Sequence, residues 1–99
     1  MKSILCYGDS NTWGRNPDTH ERYDCNTRWP KVTQQVLGEK YLVVEEGLVG
    51  RTTVYDDSEW ADRNCRTFFP VALETHMPLD MVIIQLGTDA TGAPRPGVV

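Results

Sequence analysis

The chain has 99 residues, 39% of them hydrophobic, with 10 Lys+Arg against 14 Asp+Glu and a formal charge of −4. That length supports one domain, and the acidic balance provides no basic stripe to displace counterions from a nucleic-acid backbone. No apolar run reaches the roughly 18–20 residues of a membrane span, and the opening Met1-Lys2-Ser3-Ile4-Leu5-Cys6-Tyr7 meets Gly8-Asp9 too early for a secretory signal.

The expected compartment is therefore the cytosol. Cys6, Cys25 and Cys65 are odd in number and widely spaced, and neither His20 nor His76 sits at a metal-ligand spacing. Reduced thiols acting as small apolar fillers are expected, with no disulfide framework and no metal.

Ile4-Leu5-Cys6-Tyr7 is a short apolar run stopped by Gly8, which predicts a buried strand. Residues 11–27 are rich in Asn, Asp, Thr, Gly and Pro and read as a long loop. A helix is expected from Trp29-Pro30, capped by Asn26 or Thr27 and ended by Gly38, with Trp29, Val32 and Val36 at helical spacing. Tyr41-Leu42-Val43-Val44 predicts a second strand, closed by Glu45-Glu46-Gly47. Residues 50–63 read as loop, with the acidic run Asp56-Asp57-Ser58-Glu59 solvated.

A second helix covers part of 64–76, with Phe69, Ala72, Leu73 and His76 on one face. Pro70 in a helix interior costs about 3 kcal/mol, so regular helix is expected only from near Phe69. His76 then reads as a helix C-terminal residue favoured by the dipole. Met81-Val82-Ile83-Ile84-Gln85-Leu86 is β-branched and almost wholly apolar, the pattern of a strand covered on both faces.

The order βαβαβ predicts a parallel sheet with right-handed crossovers, and such sheets bind ligands at the carboxyl ends of their strands. Three segments fall there: Gly8-Asp9-Ser10-Asn11, Gly47-Leu48-Val49-Gly50 and Gly87-Thr88-Asp89. A serine on a sharp turn after a strand can offer both an attacking oxygen and a backbone donor to an oxyanion. The alternative is an Asp-Ser turn whose side chains serve only the local backbone. Gly50 offers an unobstructed N–H to the same cleft, or is a plain loop glycine. Arg51 either stays near the cleft entrance or pairs with a carboxylate. Trp13, Trp29 and Trp60 either line an acyl pocket or pack.

Ile-Leu-Cys-Tyr-Gly-Asp-Ser-Asn-Thr-Trp-Gly over 4–14 resembles the first block of the GDSL, or SGNH-hydrolase, family of serine esterases. Arg28-Trp29, the stretch Glu45 to Thr53, and Leu79 to Thr88 resemble its arylesterase and acyltransferase branch. The resemblance runs from about residue 2 to residue 88. It implies the N-terminal half of a flavodoxin-like, three-layer α/β/α fold with a parallel sheet of strand order 2-1-3-4-5. It implies hydrolysis or transfer of short acyl groups from small esters, without a cofactor. Carried over residue by residue, Ser10 is the nucleophile, the N–H groups of Ser10 and Gly50 are oxyanion donors, and Asp9 supports the turn.

Two departures stand out. The family's Gly-Thr-Asn-Asp is Gly87-Thr88-Asp89-Ala90 here, so Asp89 stands at the position of the third oxyanion donor, by substitution or by loss of one Asn. An ionised carboxylate only accepts, and losing such a donor in another serine hydrolase costs roughly 10²–10³-fold in rate. The family's Asp-x-x-His block occurs nowhere in these residues. Without a base Ser10 is a weak nucleophile, and little turnover is expected of this chain alone.

Residues 1–88 thus read as the N-terminal part of an SGNH-like domain, and 89–99, Asp-Ala-Thr-Gly-Ala-Pro-Arg-Pro-Gly-Val-Val, as a disordered, divergent tail left by truncation or a reading-frame change. A third strand with no fourth beside it exposes an apolar edge, which implies self-association or homo-oligomers. The competing readings are a non-catalytic flavodoxin-like module binding an anion at its strand ends, and a pseudoenzyme fragment.

Overall fold

The computed structural model describes residues 1–54, 56 and 61–87. The expected tail, Thr88-Asp89, Trp60 and all of the acidic run except Asp56 lie outside the described residues. The elements, in order, are β1 (Lys2–Gly8), α1 (Ser10–Trp13), α2 (Trp29–Leu37), β2 (Tyr41–Gly47), α3 (Cys65–His76) and β3 (Met81–Gln85).

β1 takes the centre of a three-stranded parallel sheet of order β2-β1-β3. The two-residue period of a strand sends its side chains alternately to both faces. Ile4 and Cys6 join Val43 under Trp29, Tyr41 and Ile83 on the α2 face. Leu5 and Tyr7 join Ala72 on the α3 face, with Val44, Phe69, Leu73 and Val82 around them. Helices therefore cover both faces, which makes the three layers. The Tyr7 and Phe69 rings meet edge-on, centroids 4.8 Å apart. Among the described residues no helix is long and apolar enough to cross a membrane.

Three local expectations need correction. The residue capping α2 is Arg28, with no side-chain cap bond. Thr27 spends its hydroxyl on the Asp24 carboxylate, which also accepts from the Asn26 N–H, so both belong to an Asx turn before the helix. Pro30, buried in the first turn, removes one orphan donor instead.

α3 starts at Cys65 and carries Pro70 inside it. The Asn64 side chain accepts from the Arg66 N–H at 2.9 Å, and Thr52 and Thr53 carbonyls take the Cys65 and Arg66 N–H groups. That anchorage, with Phe69, Ala72 and Leu73 packed on the sheet, outweighs the proline penalty.

β3 is covered on both faces only in part: Ile83 and Val82 pack into the two clusters, but its other apolar residues are open. Met81 and Ile84 are each 54% exposed, because among the described residues β3 has a strand neighbour on one side only.

Candidate active site

The sheet register places all three strand tips level: Gly8 stands opposite Gly47 on one side and Gln85 on the other. The single turn of α1 lies directly on these tips. A Cβ on Gly8 would collide with Thr12 and come within 2.6 Å of the Gln85 carbonyl oxygen. One on Gly47 would come within 2.7 Å of the Trp13 Cα. Only glycine permits that approach.

Asp9 is fully buried and builds the turn. Its carboxylate accepts from the Asn11 N–H at 3.2 Å, and its carbonyl accepts from the N–H groups of Thr12 and Trp13. Its own N–H donates to the Gln85 carbonyl at 3.2 Å, and the Thr12 hydroxyl donates to the Gln85 side chain at 3.2 Å. The β1 tip is thereby tied to the β3 tip. The Ser10 carbonyl accepts from Gly14 and Arg15, with Gly14 left-handed at φ 93°. Half-buried Ser10 opens the helix, and neither its hydroxyl nor its N–H has a hydrogen-bond partner among the described residues.

At the β2 tip, Leu48 donates to the Gly8 carbonyl, and the Arg51 N–H closes a four-residue turn onto the Leu48 carbonyl at 3.2 Å. Gly50 holds the third position of that turn at φ 82°, a conformation that favours glycine. It is buried, and its N–H has no hydrogen-bond partner among the described residues. Both expected donors therefore sit on adjacent strand tips.

Arg51 resolves its two open readings in a third way. It is 7% exposed, its guanidinium donates to the carbonyls of Gly8 and Glu46, and it lies 4.0 Å over the Tyr7 ring. Burial pulls its pKa down, and the neighbouring Tyr7 and Glu46 oppose that shift. It stitches two strand tips together, a role that composition and spacing do not signal.

The segment after α1 is pinned from three sides. Arg28 grips Glu45 through two hydrogen bonds, at 2.9 and 3.2 Å, and donates to the Tyr23 carbonyl. The Tyr23 N–H returns to the Gly14 carbonyl at 2.6 Å. Arg22 donates to the Trp13 carbonyl at 2.7 Å, with its guanidinium 5.0 Å from the Trp13 ring centre. Burial raises the Glu45 carboxyl, but the hydrogen bonds and charge of Arg28, aided by Lys31 and Arg22, hold it net below the usual carboxylate range.

The two imidazoles are occupied elsewhere. His76 pairs with Glu46 at 2.8 Å, in the last turn of α3 where it was expected. His20 accepts from Arg15 at 2.6 Å. Neither is hydrogen-bonded to Ser10. No group of three or more metal-ligating side chains occurs among the described residues. Asp89 lies outside them, so the third tip is represented only as far as Gly87.

No family model matches the chain, and no curated protein does. Solved structures do. A carbohydrate acetylesterase family member from Sinorhizobium meliloti is 47% identical, with a TM-score of 0.87, over 90% of this chain and 42% of that one. The aryl esterase of M. smegmatis is 45% identical, TM-score 0.83, over 90% and 43%. A proposed arylesterase from Agrobacterium tumefaciens str. C58 is 51% identical, TM-score 0.87, over 90% and 43%. The chain thus spans less than half the length of each of these proteins.

Proposed function

We propose, for a chain that belongs with these SGNH-type esterases in sequence and fold, that it carries the nucleophile end of a serine ester hydrolase. The observation that carries this reading is the level register of the strand tips. It sets the Ser10 turn beside the Gly50 turn, each with an uncommitted N–H among the described residues.

In the reaction, the Ser10 oxygen attacks the carbonyl of a small, short-chain acyl ester. The developing oxyanion is met by the N–H groups of Ser10 and Gly50, and the alcohol leaves. Water, or a second alcohol in the acyltransferase-like variant, then takes the acyl group. Asp9 shapes the turn and takes no part in proton transfer. Asp89 stands where the family's third donor would be. Three free cysteines suit a reducing, cytosolic setting.

The step these residues leave unsupplied is removal of the Ser10 proton. His20 and His76 are engaged by Arg15 and Glu46, so no imidazole among the described residues is placed to take that proton. Loss of the equivalent histidine in another serine hydrolase costs about 10⁶-fold. Hydrolysis of p-nitrophenyl acetate by this chain and by Ser10→Ala tests the point. Little difference between the two is expected. A Ser10-dependent rate like that of ordinary esterases would show that a base is already present. Binding of phosphate or flavin mononucleotide, with Ser10 inert to fluorophosphonates, would favour a non-catalytic anion-binding module instead.

A further inference from the structure

We propose that Arg15 and Arg22 form an anion-accepting subsite beside the Ser10 turn, selecting esters that carry a carboxylate away from the scissile bond. The proposal rests on the esterase reading above and names its substrate class.

Ser10 and Trp13 are three residues apart on one helical turn and so share a face. Arg22 lies against the Trp13 ring, which brings its guanidinium to the flank of that face. Arg15 and Arg22 are directly opposite each other in an antiparallel bridge. Opposed residues in such a pair project to the same side, and like charges there are destabilising unless something neutralises them. Among the described residues no carboxylate lies within ion-pair distance of either arginine. Glu45 feels the Arg22 charge, but its oxygens are taken by Arg28 and Lys31.

Donors remain for a ligand. A guanidinium has five N–H groups, and Arg22 spends its Nε on the Trp13 carbonyl. Arg15 gives one nitrogen to His20 Nδ1, which as acceptor must be unprotonated. His20 is held at φ 65°, a strained position for a side-chain-bearing residue, by its N–H bond to the Asn16 carbonyl. The strained backbone thus presents an acceptor that orients Arg15. Paired, forked donors of this kind suit a carboxylate, and the Trp13 ring beside Arg22 adds an apolar surface.

The test titrates monomethyl succinate, with dimethyl succinate as its uncharged counterpart, into the full chain. Arginine Nε–H and Trp13 indole resonances report binding. The monoanion is expected to shift Arg15, Arg22 and Trp13 saturably. Binding should weaken about fivefold or more in Arg15→Gln, in Arg22→Gln, and on raising salt from about 50 to about 500 mM. The diester should bind correspondingly weakly. Equal binding of the diester, or full affinity in Arg15→Gln, overturns the proposal. Arg15→Gln is the deciding variant if Arg22→Gln disturbs the fold, since among the described residues its side chain hydrogen-bonds only to exposed His20, and unmoved β1 amides verify its fold.

Fluorophosphonate labelling separates the two claims. Charge-selective binding with an inert Ser10 removes the esterase reading and leaves the anion site. A reactive Ser10 with charge-indifferent binding does the reverse.

Discussion

β1 and β3 are adjacent in the sheet and similarly apolar, yet Ile4 to Tyr7 are at most 5% exposed while Met81 and Ile84 are each 54% exposed. Their side chains do not explain the difference; their neighbours do. β1 has a strand on both sides and helices over both faces. β3 has one strand neighbour among the described residues, and Val71 on α3 and Met77 just after it are 53% and 64% exposed. An apolar strand records what it is built to contact, whereas burial records what is present. The chain spans less than half the length of the solved relatives, and the free side of β3 is an edge of the kind a further strand would cover.

The largest expected effect breaks the contrast at its buried end. Leu5→Ala should lower unfolding free energy by about 3 kcal/mol, because a fully buried leucine leaves a cavity. Ile84→Ala should cost well under about 1 kcal/mol, since half the side chain is already in water. Urea midpoints compare them, and equal losses would mean that β3 is covered in solution.

The β2 side of β1 depends on charge as well as packing. Glu45→Gln should destabilise by about 1–2 kcal/mol at neutral pH, as it removes the partner of a mostly buried arginine. Because folding depresses the Glu45 pKa, its stabilisation is fully present above the ordinary value of 4.5 and lost as pH falls through the lower, folded value. Melting curves of the two proteins should therefore converge on acidification. A gap that persists at low pH would assign the loss to packing.

At the open edge, Ile84→Lys should shift the chain toward monomer in sedimentation at little cost in stability, since charge blunts an exposed edge. An unchanged sedimentation profile would remove β3 from any self-association. The smallest effect sharpens the contrast chemically. Burial, with Glu45 nearby, pushes the Cys6 thiol up to about 11, whereas Cys25 is exposed. Iodoacetamide should modify Cys25 first and Cys6 only on unfolding, read by mass spectrometry.

The strands, α2 and the ranking of their tips were legible because short apolar runs stopped by glycine leave few alternatives. The start of α3 was not, because Pro70 is a local penalty outweighed by contacts with Thr52, Thr53 and the sheet. Nor were the holds on the Ser10 turn. Arg28 reaches Glu45 across 17 positions and Arg51 reaches Gly8 across 43, separations over which local pattern carries no signal. Gly8 and Gly47 read as strand stops, but their crowding against α1 is a property of the assembled tips.

The most direct measurement is the site of modification after prolonged exposure of the chain to a fluorophosphonate, located by peptide mass spectrometry. A slow, single adduct on Ser10, absent from Ser10→Ala and from chain unfolded in urea, is the expected result. Modification elsewhere, or equal modification of folded and unfolded chain, would contradict a hydroxyl placed by the strand tips for attack.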